Sequence, residues 1–448
     1  MDLSVGVLMT QWRGARVAAI LVLIVVWSGC GDTFRPVAVP IPPPPPDPKS
    51  FHFVLVISEN GPNNAGASTR IDVSGDTNVG VATVGLAPVH ATLLPNGNRI
   101  YVANSLEDTV SSYAPSNATS VITTSLPPGS VPIFMHTTEN GTVYVANLGN
   151  NTNVPPTLPT VAAISTATNV VTNNIVLGFS PIVLAETSDA KKLYAVGGGN
   201  GAVSINTIDK SVNPVITDSS LGSPVWVVTR SDSQRAYVLN QGTGKVTVID
   251  TSSDAVLGSV SVGAGANFML YDKTRSRLYV TNPTANTVTA LDASVDPTNP
   301  PNPPLFVVPV AANPLSVAAL ADGSRIYVAS VVVSGGSATS QITVINASDG
   351  SVRTTIPLST VGIDTVNPTG CGAPNPFAQP LARFRVFVAA SADSSRVYVT
   401  NCDAGNTTII RTADDTEVLD VPAPLSDFPT QNGANPPPQN PVFVLAGP

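Results

Sequence analysis

From about residue 53 onward the chain alternates short apolar segments with turns of Asp, Asn, Gly and Ser, and the same order of segments keeps returning. A proline opens an apolar run, as in Pro88–Leu93, Pro132–His136, Pro181–Ala185, Pro224–Val228 and Pro314–Ala318. An acid or amide stands five residues before a tyrosine, at Asn96, Glu139, Asp189, Asp232, Asp322 and Asp393. A second run of the form Arg-Ile-Tyr-Val-Ala-Asn follows, first at Arg99–Asn104. A third alternates apolar and polar residues and closes on Asp or Asn, as in Lys245–Asp250 and Gln341–Asn346, and a fourth runs through Val256–Val262 or Val352–Leu358. Period-2 alternation bounded by turn residues predicts β-strands, and four in succession predict an antiparallel meander. These strands are lettered a to d, beginning with the proline-led one.

The tyrosines of the b strands are Tyr101, Tyr144, Tyr194, Tyr237, Tyr279, Tyr327 and Tyr398, at intervals of 43, 50, 43, 42, 48 and 71 residues. A β-rich repeat of this length predicts an all-β propeller of four-stranded blades. Before the first tyrosine, Phe53–Ser58, Ala67–Val73 and Asn78–Val84 read as strands b, c and d with no strand a. Asn440–Gly447 carries the proline-led pattern with no partner after it. It is therefore expected to supply the missing inner strand and close a ring of eight blades, which removes the two unpaired edges. Seven blades would result if the long stretch between Tyr327 and Tyr398 folded otherwise. The basic residue two positions before most of these tyrosines is expected to bridge to the turn acid of its own blade.

In this repeat frame, the Tyr-Val-Thr-Asn wording at Tyr279–Asn282 and Tyr398–Asn401 resembles the YVTN family of β-propeller repeats over roughly residues 51–448. The resemblance implies a secreted or surface-attached protein. Some relatives are lactonase-like or are cofactor-linked dehydrogenase propellers, so it selects no reaction.

Charge and the N-terminus change the picture in one direction. The net charge is −8 and only 11% of residues are charged, with no basic cluster in the repeats, which argues against a nucleic-acid partner. Arg13 and Arg16 precede the apolar stretch Val17–Trp27, too short to span a bilayer and of a length suited to a signal peptide. The stretch ends in Ser28-Gly29-Cys30, similar to a bacterial lipobox in which Cys30 is acylated, with translation starting at Met1 or Met9. Residues 31–50 include five consecutive prolines, Pro42–Pro46, and read as a polyproline stalk. The expected organisation is a signal segment 1–30, a stalk 31–50 and a propeller 51–448. The protein is expected to be a monomer held to the cell envelope by its acyl anchor, in the periplasm or at the surface.

Chemistry is sparse. The histidines are His52, His90 and His136, and no Cys-x-x-Cys-His, Gly-x-Ser-x-Gly, Walker or His-Glu-x-x-His motif occurs. No cofactor, metal or catalytic set is expected. His90 and His136 lie on neighbouring inner strands with the same face parity and are kept as candidates near the channel, with Trp226 as a stacking platform. With Cys30 assigned to lipid, Cys371 and Cys402 remain and are expected to pair in an oxidising compartment, closing a long loop worth about 3 kcal/mol. One rim should gather the b–c and d–a connections, including the enlarged Leu148–Leu158 and Leu358–Arg383. The same rim carries Asn104, Asn147, Asn240, Asn282 and Asn401, whose amides cap turns or meet sugar hydroxyls or peptide backbone. The leading expectation is a non-catalytic module binding a protein or envelope polysaccharide there. The alternative is an extracytoplasmic enzyme with acids and amides converging on the channel mouth.

Replacing Cys30 by Ser should release the protein from membranes or leave it uncleaved, because acyl chains would supply its membrane affinity. Membrane fractionation that is unchanged, with no acylated N-terminus in the parent, would count against the anchor.

Overall fold

A computed structural model describes residues 53–138, 141–152, 155–199, 201–298, 302–362, 371, 385–427 and 436–446. Among them, eight antiparallel sheets form the blades of a propeller, and no helix occurs. Blade I comprises residues 440–446 and 53–86. Blades II to VIII follow in chain order at 88–125, 132–176, 181–206, 224–261, 268–309, 314–362 and 386–422. Seven blades have four strands.

Closure is as the sequence implies. Asn440–Ala446 pairs antiparallel with Phe53–Glu59, from Glu59 opposite Asn440 to Val54 opposite Ala446. This b strand carries no tyrosine. Leu55 takes its place, since it faces Leu445 two residues after Phe443, as Tyr101 faces Thr92 two residues after His90. In six blades the a–b pairing skips one residue directly after the opening proline. A bulge of this kind re-aims the side chains that follow.

Blade IV departs from the four-strand expectation. Beyond its c strand, Gly201–Asn206, no further strand is paired to it; the chain makes the isolated Ile205–Val212 bridge, and the N–H groups of Asn213 and Ile216 donate to the carbonyls of Ser204 and Ala202. Pro214, which has no N–H to donate, sits in the middle of that segment and interrupts the ladder.

The b strands are almost wholly buried, because each is covered by a blade on either side, whereas the outer strands alternate towards solvent. Between blades, several of the basic residues before the tyrosines reach the next blade and do not serve their own turn acid as expected. Lys192 and Tyr194 of blade IV both reach Asp254 in the c–d turn of blade V, at 2.8 and 2.6 Å. Arg235 of blade V makes a two-pronged pair with Asp296 of blade VI, keeping one contact of 3.2 Å to Asp250 of its own blade. Arg325 and Tyr327 of blade VII meet Asp415 of blade VIII, and Arg396 of blade VIII meets Asp76 of blade I. The reason is parity: residues two apart on a strand share a face, so the base leans the same way as the buried tyrosine. The turn acids and amides cap their own a–b turns instead. Asn96, Asp232, Asp322 and Asp393 accept from the N–H of Asn98, Gln234, Ser324 and Ser395.

Cys371 and Cys402 form a disulfide with Cα atoms 5.7 Å apart. Cys402 follows the b strand of blade VIII, and Cys371 belongs to the connection entering that blade. The d strand before that connection continues to Gly362, so the insertion starts later than Leu358. Beside the bond, Arg385 holds Asp403 through two contacts of 2.8–2.9 Å. The expected signal segment and stalk, residues 1–50 with Cys30, lie outside the described residues.

Deleting residues 440–448 should abolish cooperative unfolding or cause aggregation, since it bares one edge of blade I and removes the contacts that complete the ring. A truncated protein with the melting profile of the full chain would contradict closure by this strand.

Candidate functional site

The position two residues after each opening proline faces the propeller axis. It is filled by His90, Phe134, Val183, Trp226, Ser316 and Phe443, with Phe268 and Phe387 in the corresponding places of blades VI and VIII. The aromatic members form a closed circuit. Ring centroids are 4.1 Å apart for His90–Phe134, 6.1 Å for Phe134–Trp226 and 4.4 Å for Trp226–Phe268. The circuit continues through Phe268–Phe387 at 5.7 Å, Phe387–Phe443 at 4.9 Å and Phe443–His90 at 4.4 Å. Val183 and Ser316, both buried, occupy the two places where neighbouring rings meet across a small residue. Tilted and edge-on contacts at these separations are the favoured geometry of aromatic pairs.

Phe268 and Phe387 escape a proline-based reading because Ala266 and Arg385 stand where the other strands have proline. A spacing signal does locate them. Each lies 11 residues before its b-strand tyrosine, Tyr279 or Tyr398, as His90 lies 11 before Tyr101 and Trp226 11 before Tyr237.

Beside the aromatic layer lies a cavity of ≈ 600 Å³, whose lining extends to residues of the a–b turns. Its walls are aliphatic and small, among them Ala318, Ala319, Ala389, Ala390, Leu270 and Leu445. Towards the turns it is lined by Ser188, Ser231, Asp272, Lys273 and Thr274. Asp272 Oδ1 caps its own turn by accepting from the N–H of Thr274 and Arg275, at 2.9 and 3.2 Å.

His90 Nδ1 accepts the N–H of Met135 from the neighbouring blade at 3.3 Å. Burial, aided by the proximity of His136, pushes its pKa down to about 3, so it is a neutral aromatic member of the circuit. His136 is pushed down to about 4 by desolvation, with its Nε2 3.9 Å from Glu186 Oε2. Among the described residues, no three His, Cys, Asp or Glu side chains come together as a metal-binding group.

The five strand-ending asparagines are buried, at 0–1% exposure, and their amide nitrogens donate within the fold. Asn104 donates to Thr109 and Ser111, Asn147 to Thr160, and Asn240 to Thr247. Asn401 donates to Asn406 and Thr408. Asn282 donates to the Gly263 carbonyl and accepts from the N–H of Thr284 and Ala285. They build the b–c turns and do not present amides to solvent.

Comparison with protein-family models and with curated proteins returns no match. Solved structures do match. The dihydro-heme d1 dehydrogenase NirN, in complex with DHE, has a TM-score of 0.63 at 11% identity, covering 89% of this chain and 75% of that one. Apo AztD from Citrobacter koseri has a TM-score of 0.56 at 9% identity, covering 88% and 98%. A functionally unknown protein from Desulfotomaculum acetoxidans has a TM-score of 0.52 at 10% identity, covering 89% and 100%. The likeness is one of fold.

A histidine whose folded pKa lies near 3 makes stability depend on pH. Between about 6.5 and 3 the unfolded chain takes up a proton that the folded His90 refuses, so its contribution is present above the unfolded pKa and is lost as pH falls. His90→Phe should therefore flatten the decline in unfolding free energy between pH 7 and 4, by up to about 1.4 kcal/mol per pH unit. Parallel pH profiles for the two proteins would show that His90 is not held neutral.

Proposed function

We propose that the chain is an extracytoplasmic, membrane-tethered binding propeller of the YVTN-repeat type. Its recognition surface is the rim that gathers the b–c and d–a connections, and its partner is a protein or polysaccharide of the envelope. The observation that carries this reading is where the additional chain length falls. In blade VII the b–c hairpin is extended, with strands Arg325–Ser334 and Ser337–Asn346 of ten residues against six in blade V. In blade III the b–c loop after Asn147 is lengthened and pinned by an Asn150–Thr157 bridge. The disulfide-tied connection between Gly362 and Val386 joins the same rim. Leu158 and Val333 expose apolar side chains there, at 56% and 46%. Blades fix the bases of such loops while their sequences remain free to specify a partner.

The tether reading rests on the sequence of residues 1–50, and a disulfide is in keeping with an oxidising compartment. A hydrolase or dehydrogenase would need acids converging on the channel. The axial layer is aromatic and aliphatic, which favours binding over such chemistry.

Removing residues 363–384, Cys371 included, should abolish capture of the partner from envelope extracts. The unfolding free energy should fall by no more than loss of the disulfide explains, about 3–4 kcal/mol for a loop of this size. Binding that survives this deletion but is lost when residues 294–304, a c–d connection on the opposite rim, are shortened would place recognition on the wrong face.

A further inference from the structure

The axial cavity lies towards the other rim, and its chemistry is separate from that of the loops. Its floor is the aromatic circuit. Trp226, Phe134 and His90 are only partly buried although they stand at the centre of the ring. The cavity is not symmetric about the axis. The a strands of blades VII and VIII turn small after their channel-facing residue, as Val317-Ala-Ala-Leu-Ala321 and Val388-Ala-Ala390, and that of blade I reaches Ala446 at the matching depth. These alanines leave space beside Phe387 and Phe443, whereas blade V offers Val227-Val-Thr-Arg230 at the same depth. At the turns the lining becomes hydroxylic and charged, through Ser188, Thr229, Ser231, Asp272 and Lys273, and Tyr271 Oη lies 3.3 Å from Ser231 Oγ.

We propose that this cavity binds a small planar aromatic molecule carrying a polar substituent, ring first against the aromatic floor and polar end towards the a–b turns. Three features point to that class. The volume is that of a small-molecule pocket, which typically spans about 300–1,000 Å³. The floor offers ring faces and edges from six blades, which reward stacking beyond simple apolar burial. The polar groups are confined to one end, so the site orients an amphipathic ligand.

Trp226 makes the test direct, because the only other tryptophans are Trp12 and Trp27. In the full chain carrying Trp12→Phe and Trp27→Phe, titration with 2-naphthol should quench Trp226 fluorescence saturably. Its saturated counterpart, decahydro-2-naphthol, should compete about tenfold more weakly, because it fills the same space without a flat π-face. Ala389→Leu narrows the cavity from a residue that lines it, and should weaken 2-naphthol binding at least about tenfold with the melting temperature held or raised. Quenching that never saturates, equal binding by the Ala389→Leu protein, or equal competition by the saturated alcohol would each overturn the proposal. None of these readouts depends on the loops of the opposite rim, so the two readings fail separately.

Discussion

One interface is repeated from blade to blade: the tyrosine of a b strand, the base two residues before it, or both reach the c–d turn of the next blade, and both do so in blades IV, V and VII. Asp254 shows what this demands, receiving the Lys192 ammonium, the Tyr194 hydroxyl and the Ser204 hydroxyl, all within 2.8 Å. Burial together with the Asp254 contact drives the Tyr194 pKa upward, so the phenol stays a donor. Asp415 is likewise held by Arg325, Arg353 and Tyr327. Stripping one partner from such a buried set costs about 3–5 kcal/mol, because the other charge is left stranded. The residues that meet the latch from the next blade, the acceptors Asn169, Asp254, Asp415 and Asp76 and the donor Lys210, all have φ between 51° and 63°, a conformation that Asp and Asn adopt more readily than most. The turn must therefore be tight and polar for the latch to fit.

The latch also varies in informative ways. In the c–d turn of blade VII the left-handed residue is Gly350, which has no side chain to offer, and Arg277 turns to the Ala347 carbonyl. Blade VI receives Tyr237 through the Ala293 carbonyl at 2.8 Å. Blade I has Leu55 where the tyrosine would be, and its junction with blade II is bridged by Tyr113 Oη donating to Ser68 Oγ at 2.6 Å. The interface survives the loss of its usual donor because a neighbouring strand supplies another.

The recurring Tyr-Val phrase made the blades, their order and the closing strand legible, because strand period and repeat length are properties of local sequence. The disulfide was legible by parity of cysteine number. The direction of the basic residues was not, because a strand's sequence gives the face of a side chain but not which neighbour covers it. The missing outer strand of blade IV is written in Pro214, a weak mark in a chain rich in proline. The axial layer was half visible: His90, Phe134, Trp226 and Phe443 stand out after prolines, but Phe268 and Phe387 emerge only when the count runs back from the tyrosine. The asparagines admitted two readings, turn caps or ligand contacts, and the structure has them in the turns. The same amide that suits a sugar hydroxyl suits a tight turn, and the turn lies closer.

The join in blade I sets a timetable for synthesis. Phe53–Glu59 is the first strand of the propeller to leave the ribosome, and the segment it must pair with is the last. At ~5–20 residues per second, the roughly 390 residues between them take about 20–80 s to appear. Blades II to VIII can assemble in that interval, each latching to its successor as it emerges. The earliest strand, rich in Val, Leu and Ile, waits throughout with one side unpaired. The ring therefore closes only once a strand made after all seven other blades has paired with one made before them.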